Sequence, residues 1–156
     1  MDGRLQVQSN VSRDCYDEKG HSTNNTATLN ICQKSFSHQN KFIVIGCDSL
    51  GIIIGTIGEK NYSAGCLSLC DRQEDVTDGS CSGIGCCQID IPKGLKEIEV
   101  LALSIFNHTY VWQFNPCSYA FVIEDSRFDF SSSNLSATIT ETVPTTVDWA
   151  ITGQGK

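Results

Sequence analysis

The chain has 156 residues, of which 40% are hydrophobic, and its net charge is −7 at pH 7. This length fits one domain, or one domain with part of a neighbour, around a modest core. The negative charge, with no basic stretch longer than two residues, argues against binding to nucleic acid or to an anionic membrane surface. The longest apolar run, residues 42–57, is interrupted by glycines and by Cys47-Asp48-Ser49, so no transmembrane segment is predicted.

Short apolar runs with alternating or β-branched residues predict strands along the whole chain. The predicted strands are residues 4–8, 42–45, 52–54, 97–106, 110–114 and 118–124. Asn107-His108-Thr109 lies between two of them and predicts a hairpin with an exposed tip. Polar stretches at 17–30, 71–85 and 131–146 predict loops, and the last, rich in Ser and Thr, resembles a spacer leading out of a domain. The expected fold is a mostly β, small disulfide-stapled extracellular domain with long loops.

Nine cysteines and five N-x-[S/T] sequons indicate a secreted, cross-linked and glycosylated ectodomain. The reducing cytosol would leave so many thiols unpaired, whereas the secretory pathway oxidises them. The expected disulfide cysteines are Cys15, Cys32, Cys47, Cys66, Cys70, Cys81, Cys86, Cys87 and Cys117. The expected N-glycosylation sites are Asn10, Asn24, Asn61, Asn107 and Asn134.

An odd number of cysteines leaves one of them without a partner inside the chain. The polar N-terminus lacks the apolar segment of a signal peptide, which favours a fragment or a gene sequence without its first exon. Cys15, nearest that end, is therefore the expected orphan, and a free or intermolecular thiol is the alternative. The adjacent Cys86 and Cys87 are expected to pair with two different partners, because a disulfide between neighbours closes a strained ring. Connectivity does not follow from the spacing.

The motifs that suggest chemistry have simpler structural interpretations. Gly79-Ser-Cys-Ser-Gly83 has the spacing of a nucleophile elbow with Cys81 as nucleophile, yet the neighbouring cysteines favour a disulfide knot. The same cysteines are spaced like zinc ligands, but no histidine is near. The acidic residues between 71 and 78 miss the order of a calcium-binding loop. No histidine is expected beside a nucleophile. We therefore predict no catalytic residue, no resident metal and no cofactor.

Five aromatic residues close in sequence have two interpretations. They are Tyr110, Trp112, Phe114, Tyr119 and Phe121. At alternate strand positions such residues usually fill a β-core, which is the interpretation we favour, and exposure of Trp112 would reverse it. The alternative is a carbohydrate site, in which exposed Trp112 or Tyr110 stacks on sugar rings. That alternative places Lys93 or Lys96 beside the aromatic ring.

Residues 79–96, GSCSGIGCCQIDIPKGLK, resemble the extracellular region of plant wall-associated receptor kinases. Other segments agree in order: NKF at 40–42, IGCD at 45–48, GCLSLCD at 65–71, FNPCSYAFV at 114–122 and VDWAI at 147–151. Residues 3–16 resemble the closing strand of the family's galacturonan-binding module. Cys32 departs from the pattern, since we expect a non-cysteine residue there.

The resemblance implies a domain division and a function. Residues 1–35 would be the end of a galacturonan-binding module, 36–130 the cysteine-rich ectodomain, and 131–156 a Ser/Thr-rich spacer. The chain would be a non-catalytic ectodomain segment that links the sensing of cell-wall pectin to the membrane, with the kinase, signal peptide and membrane span outside it. Its expected location is the extracellular face of the plasma membrane or the cell wall.

The expected partners are cell-wall pectin or oligogalacturonides, or a peptide or co-receptor. The alternative function is a direct carbohydrate-binding module for oligogalacturonides. Because galacturonan is a polyanion and the chain carries −7, direct binding needs a local basic patch or a bridging calcium ion.

Overall fold

The structure, a computed structural model, describes residues 4–30, 35–136 and 139–148. Twelve strands account for most of its regular structure. They are β1 (Arg4–Asn10), β2 (Ser12–Tyr16), β3 (Ser22–Thr26), β4 (Thr28–Asn30), β5 (Ser35–Phe36), β6 (Asn40–Gly46), β7 (Asp48–Ile57), β8 (Lys60–Leu69), β9 (Gly85–Asp90), β10 (Leu95–Leu103), β11 (Cys117–Glu124) and β12 (Thr142–Asp148). Short 3₁₀ turns occur at Gln73–Asp75, Asp125–Arg127 and Ser132–Leu135. In this described part of the chain, no helix has the length and hydrophobicity to cross a bilayer.

The strands form two antiparallel sheets, which confirms the predicted mostly β class. One sheet has the order β1-β12-β5-β10-β7-β8, and β4 also pairs with β10. The other has the order β3-β2-β11-β6-β9. The first sheet packs on one face of the second, and this contact buries Phe42 and Val44 of β6 against Ile53 of β7 and Val100 of β10.

A second apolar cluster lies on the opposite face of the five-stranded sheet. Ile43 and Ile45 of β6 and Phe121 of β11 are covered there by Phe130 and Leu135. Both faces of β6 and β11 are therefore buried, which explains why residues 42–45 and 119–123 are continuous apolar runs and do not alternate.

Close approach of the two sheets depends on Gly51 in β7. A Cβ atom at this position would lie 2.2 Å from Val44 Cγ2 and 3.0 Å from Phe42 Cζ. Both of those side chains are fully buried in the core between the sheets. Only glycine therefore leaves the space that these two side chains occupy.

Three sequence predictions of local structure are wrong. The stretch 17–30, predicted as a loop, contains β3 and β4. Residues 110–114 form turns and not a strand, so the hairpin with Asn107 at its tip does not exist. Residues 142–148, predicted as part of a spacer, form β12, in which Val143 and Val147 are buried. Strand β12 pairs with β1 from Arg4↔Asp148 to Asn10↔Thr142. Strand pairing thus crosses both of the predicted domain boundaries, at 35/36 and at 130/131.

Eight of the nine cysteines form four disulfides. These are Cys15–Cys117, Cys47–Cys70, Cys66–Cys87 and Cys81–Cys86. The prediction that Cys15 lacks a partner is wrong, because it lies directly opposite Cys117 where β2 pairs with β11. The adjacent Cys86 and Cys87 do have different partners, as expected from ring strain. The ninth cysteine, Cys32, lies outside the described residues.

Candidate ligand-binding surface

One buried carboxylate fixes the backbone of the segment between β10 and β11, residues 104–116. Asp48, the first residue of β7, accepts hydrogen bonds from the backbone N–H groups of Ile105 (2.9 Å), Phe106 (2.8 Å) and His108 (3.0 Å). Asn107 and His108 have positive φ angles of 55° and 58°. Because residues other than glycine rarely adopt this backbone conformation, the shape of the turn depends on the hydrogen bonds to Asp48.

His108 completes the support of this segment. It is fully buried, with Nδ1 2.6 Å from the carbonyl oxygen of Asn115 and Nε2 2.8 Å from Oγ of Ser118. Burial lowers the pKa of His108 and so favours the neutral imidazole, in which Nδ1–H donates to the carbonyl oxygen of Asn115 and Nε2 is an acceptor. The expectation that no histidine lies beside a nucleophile is wrong. However, Ser118 is also fully buried, so this pair has no access to a substrate.

A second set of hydrogen bonds, among Tyr16, Asp14 and Ser104, connects residues 104–116 to β2. The ring of Tyr16 stacks on that of His108, with 5.6 Å between ring centroids. Tyr16 Oη donates to Asp14 Oδ2 at 2.5 Å and accepts from Ser104 Oγ at 2.8 Å. Burial raises the pKa of Asp14, and the hydrogen bond from Tyr16 offsets part of that increase. Burial and the bond to this carboxylate both raise the pKa of Tyr16. These groups position the loop.

The supported segment presents an aromatic pair to solvent. Phe106 and Tyr110 are 55% and 77% exposed, and their rings meet edge to face with 5.6 Å between centroids. Together with Leu69 and Asp71 they line a cleft of about 160 Å³. An exposed aromatic pair beside a cleft, on a loop with fixed backbone, is typical of a binding surface.

The five aromatic residues named in the sequence do not form one group. Tyr119 and Phe121 are buried in the core, as favoured, and Phe114 is half-buried against it. Trp112 is half-buried, and its Nε1–H donates to the carbonyl oxygen of Tyr16 at 2.8 Å. Tyr110 is fully at the surface. Tyr110 therefore has the exposure that the carbohydrate alternative requires, whereas Trp112 does not.

Lys93 and Lys96 are exposed but lie at the other end of the sheet from Tyr110. Lys96 is opposite Thr56 near the beginning of β10, whereas Leu103 at its end leads into the aromatic segment. With a rise of about 3.3 Å per residue, the two regions are about 20 Å apart. The structure therefore does not bring the predicted lysines and aromatic rings into one site.

A second, polar cleft of about 370 Å³ was not foreseen from the sequence. Its lining includes Asn10, Arg13, Asn24, Thr28 and Glu141. The guanidinium carbon of Arg13 lies 5.6 Å from the ring centroid of Tyr119. These side chains come from three separate parts of the chain, so no local sequence pattern predicts the cleft.

The acidic residues between 71 and 78 are exposed and do not converge on a common point. Asp75 forms an ion pair with Arg72 at 3.7 Å, and Asp78 Oδ1 accepts from the backbone N–H of Ser132 at 2.7 Å. Over residues 4–30, 35–136 and 139–148, no three His, Cys, Asp or Glu side chains are grouped as metal ligands would be.

Four of the five sequon asparagines are exposed, namely Asn10, Asn24, Asn61 and Asn107. Asn134 is half-buried in a capping box, where its Oδ1 accepts from the backbone N–H of Ser131 at 2.9 Å. Asn107 donates from Nδ2 to the carbonyl oxygen of Gly20 at 3.2 Å.

Comparison with known proteins finds plant receptor kinases. The chain is 41% identical to wall-associated receptor kinase 2 of Arabidopsis thaliana, 38% identical to wall-associated receptor kinase 1 and 37% identical to wall-associated receptor kinase 3 of the same plant. Each alignment covers 97% of the chain, but the chain spans only about a fifth of the length of these relatives. No protein-family model and no solved structure gives a significant match. The matches confirm the resemblance found in the sequence.

Proposed function

We propose that this chain, which is related over almost its whole length to part of the plant wall-associated receptor kinases, is a non-catalytic segment of such a receptor's ectodomain. The observation that carries the proposal is the 41% identity over 97% of the chain, matched to only 21% of a receptor kinase. The four disulfides support an extracellular or cell-wall location, because they need an oxidising compartment.

In this proposal the segment links the sensing of cell-wall pectin to the membrane. It acts as a rigid scaffold, since its two sheets and its disulfides leave little freedom for internal rearrangement. The exposed aromatic pair, Phe106 and Tyr110, is then the surface that contacts a peptide or co-receptor. The buried pair of His108 and Ser118 supports a role without catalysis, because no substrate reaches it.

The second candidate function is direct binding of oligogalacturonides. The observation in its favour is the polar cleft around Arg13, where the guanidinium forms no ion pair within the described residues. A uronate carboxylate could pair with this cation while Asn10, Asn24 and Thr28 bond to hydroxyl groups. Calcium is the proposed bridge where carboxylates of the ligand and of the protein meet.

Calorimetric titration of defined oligogalacturonides into the secreted, glycosylated chain, with and without calcium, separates the two candidates. The scaffold function predicts no saturable heat from a chain whose folding is verified by near-UV circular dichroism. Direct binding predicts a saturable heat that Arg13→Gln abolishes and Lys93→Gln leaves unchanged. Binding that depends on Lys93 or Tyr110 and not on Arg13 would contradict the assignment to the polar cleft.

A further inference from the structure

The sequons are distributed unevenly over the two sheets. Five of the described strands pair with one strand only: β1, β8 and the three-residue β4 in one sheet, and β3 and β9 in the other. Asn10 lies in β1, Asn24 in β3 and Asn61 in β8, and all three side chains are exposed. Three of these five strands therefore carry one sequon each. The other two sequons, at Asn107 and Asn134, lie in a turn and in a 3₁₀ turn.

Of the two strands without a sequon, β4 is three residues long and β9 is partly covered by the chain itself. The backbone N–H of Gly83 donates to the carbonyl oxygen of Cys86 at 2.7 Å, and Ser82 forms a bridge with Cys87. The Cys81–Cys86 disulfide holds this segment against β9. The free side of β9 is thus occupied at Cys86 and Cys87. Strands β1 and β3 each pair with one strand only, and β8 pairs only with β7, apart from its Leu69 N–H, which donates to the carbonyl oxygen of Gly83 at 3.0 Å.

Strands β1 and β8 lack the usual protection of a sheet edge, and β3 has only one register irregularity, at Thr23 between its pairs with Cys15 and Tyr16. Exposed edges are normally blunted by charged residues, proline or a bulge, because their unpaired backbone groups can pair with another chain. The sequences are RLQVQSN in β1, STNNT in β3 and KNYSAGCLSL in β8. Each contains at most one charged residue, Arg4 or Lys60, at its first position, and none contains proline. Strand β8 is ten residues long and exposes Leu67 and Leu69.

We propose that N-linked glycans at Asn10, Asn24 and Asn61 cover these three edges and prevent edge-to-edge pairing with other chains. An N-glycan is bulky and strongly hydrated, so it excludes a second strand over several residues on either side of its asparagine. Strand β4 follows β3 after one residue, so the glycan at Asn24 also lies near that strand.

The modification requires an accessible amide nitrogen and a sugar donor. Nδ2 of the asparagine forms a bond to the anomeric carbon of an oligosaccharide, while the bond from that carbon to a lipid-linked diphosphate breaks and Nδ2 loses one proton. The donor is a lipid diphosphate oligosaccharide of the secretory pathway. In the described structure, Nδ2 of Asn10, Asn24 and Asn61 donates no hydrogen bond, unlike Nδ2 of Asn107.

The test compares two sets of variants of the chain secreted from a eukaryotic host. The first replaces the edge sites together, Asn10→Gln, Asn24→Gln and Asn61→Gln, and the matched control replaces Asn107→Gln and Asn134→Gln. Glycopeptide mass spectrometry measures occupancy in the wild type, and sedimentation velocity over a concentration series measures self-association. We expect the edge variant to self-associate at a concentration at least about tenfold lower than the wild type and the control.

A rescue experiment separates edge pairing from a general loss of solubility. Lysines at exposed positions of the same strands, Gln8→Lys, Ser22→Lys and Ser63→Lys, should return the edge variant to the monomeric state. Infrared spectra should show an intermolecular β band in the edge variant and none after rescue.

Three results would overturn the proposal: unoccupied edge sites in the wild type, an edge variant that stays monomeric, or equal self-association of the control. If the edge variant is not secreted, the folded wild type is treated with an endoglycosidase that leaves one sugar on each asparagine. An unchanged monomer after that treatment would also contradict the proposal.

Discussion

The carboxylate of Asp48 should stabilise the whole domain as well as the loop it holds, and Asp48→Asn tests this. Asp48 is 4% exposed, and its carboxylate accepts three backbone hydrogen bonds at 2.8–3.0 Å. An asparagine that places its oxygen at the Oδ2 position keeps neutral bonds from Phe106 and His108. Its NH₂ group then faces the N–H of Ile105, so that donor loses its partner.

The expected loss of stability follows from these three bonds. A hydrogen bond to a charged group contributes about 1.5–3 kcal/mol and a neutral one about 1 kcal/mol. Weakening two bonds costs about 2 kcal/mol, and the lost bond with its unsatisfied N–H costs about 3 kcal/mol more. The lower desolvation penalty of the neutral amide returns part of this, so we expect a net loss of about 3–4 kcal/mol. For a domain of this size that corresponds to a fall in Tm of about 10 °C.

Thermal and guanidinium unfolding with the disulfides intact measure this change in stability. Asp71→Asn is the matched control, because it removes an exposed carboxylate beside the same loop. Hydrogen exchange should also show faster exchange of the Ile105, Phe106 and His108 amides in the Asp48 variant. A Tm within 2 °C of the control, with unchanged exchange at these three amides, would refute the reasoning.

Three further predictions concern the core, the buried histidine and the longest disulfide loop. Gly51→Ala should lower the free energy of guanidinium unfolding by about 2–3 kcal/mol, because the new Cβ would clash with Val44. The double variant Gly51→Ala/Val44→Ala should lose less stability than the sum of the two single losses. Strict additivity would contradict the clash. Because burial lowers the pKa of His108, its neutral form stabilises the fold above a pH of about 6.5, and stability should fall by up to about 1.4 kcal/mol per pH unit as pH drops below that value. Stability curves from pH 7 to 5 should flatten in His108→Gln relative to the wild type, and parallel curves would argue against this sign. Replacing Cys15 and Cys117 by serine opens a loop with a sequence separation of 102 and should cost about 4–5 kcal/mol of unfolding free energy, whereas a loss below about 2 kcal/mol would show a compact unfolded state.

The sequence predicts those strands whose hydrophobic residues are large and regularly placed. Strand β6 has a continuous apolar run, and Leu95–Leu103 in β10 buries the apolar residues of an alternating stretch. Strand β8 also alternates in burial, but its inward positions include Ala64, Cys66 and Ser68, whose small side chains give a weak hydrophobic signal. Strand β12 is rich in threonine and contains Pro144, so its composition suggested a spacer.

The candidate surface could not be derived in the same way, because it depends on contacts between distant residues. Residues 110–114 have the composition of a strand. The preceding residues are instead held in a turn by Asp48, which accepts hydrogen bonds from Phe106 and His108, 58 and 60 positions away in the sequence. The sequence identified Tyr110 as a candidate without indicating that Phe106 lies beside it. The separation of Lys96 from Tyr110 follows from the register of β10 with β7, which no local pattern encodes.

The pairing of β1 with β12 has a mechanical consequence. Arg4 lies opposite Asp148, so the first and last described residues lie side by side. Tension applied between these two residues would separate the strands as a zipper opens, loading one pair of residues at a time. The extension would stop at the Cys15–Cys117 disulfide, because this bond bears the force and residues 16–116 do not. The aromatic segment and the three other disulfides lie inside that protected loop, so they would keep their structure under a force that opens the ends.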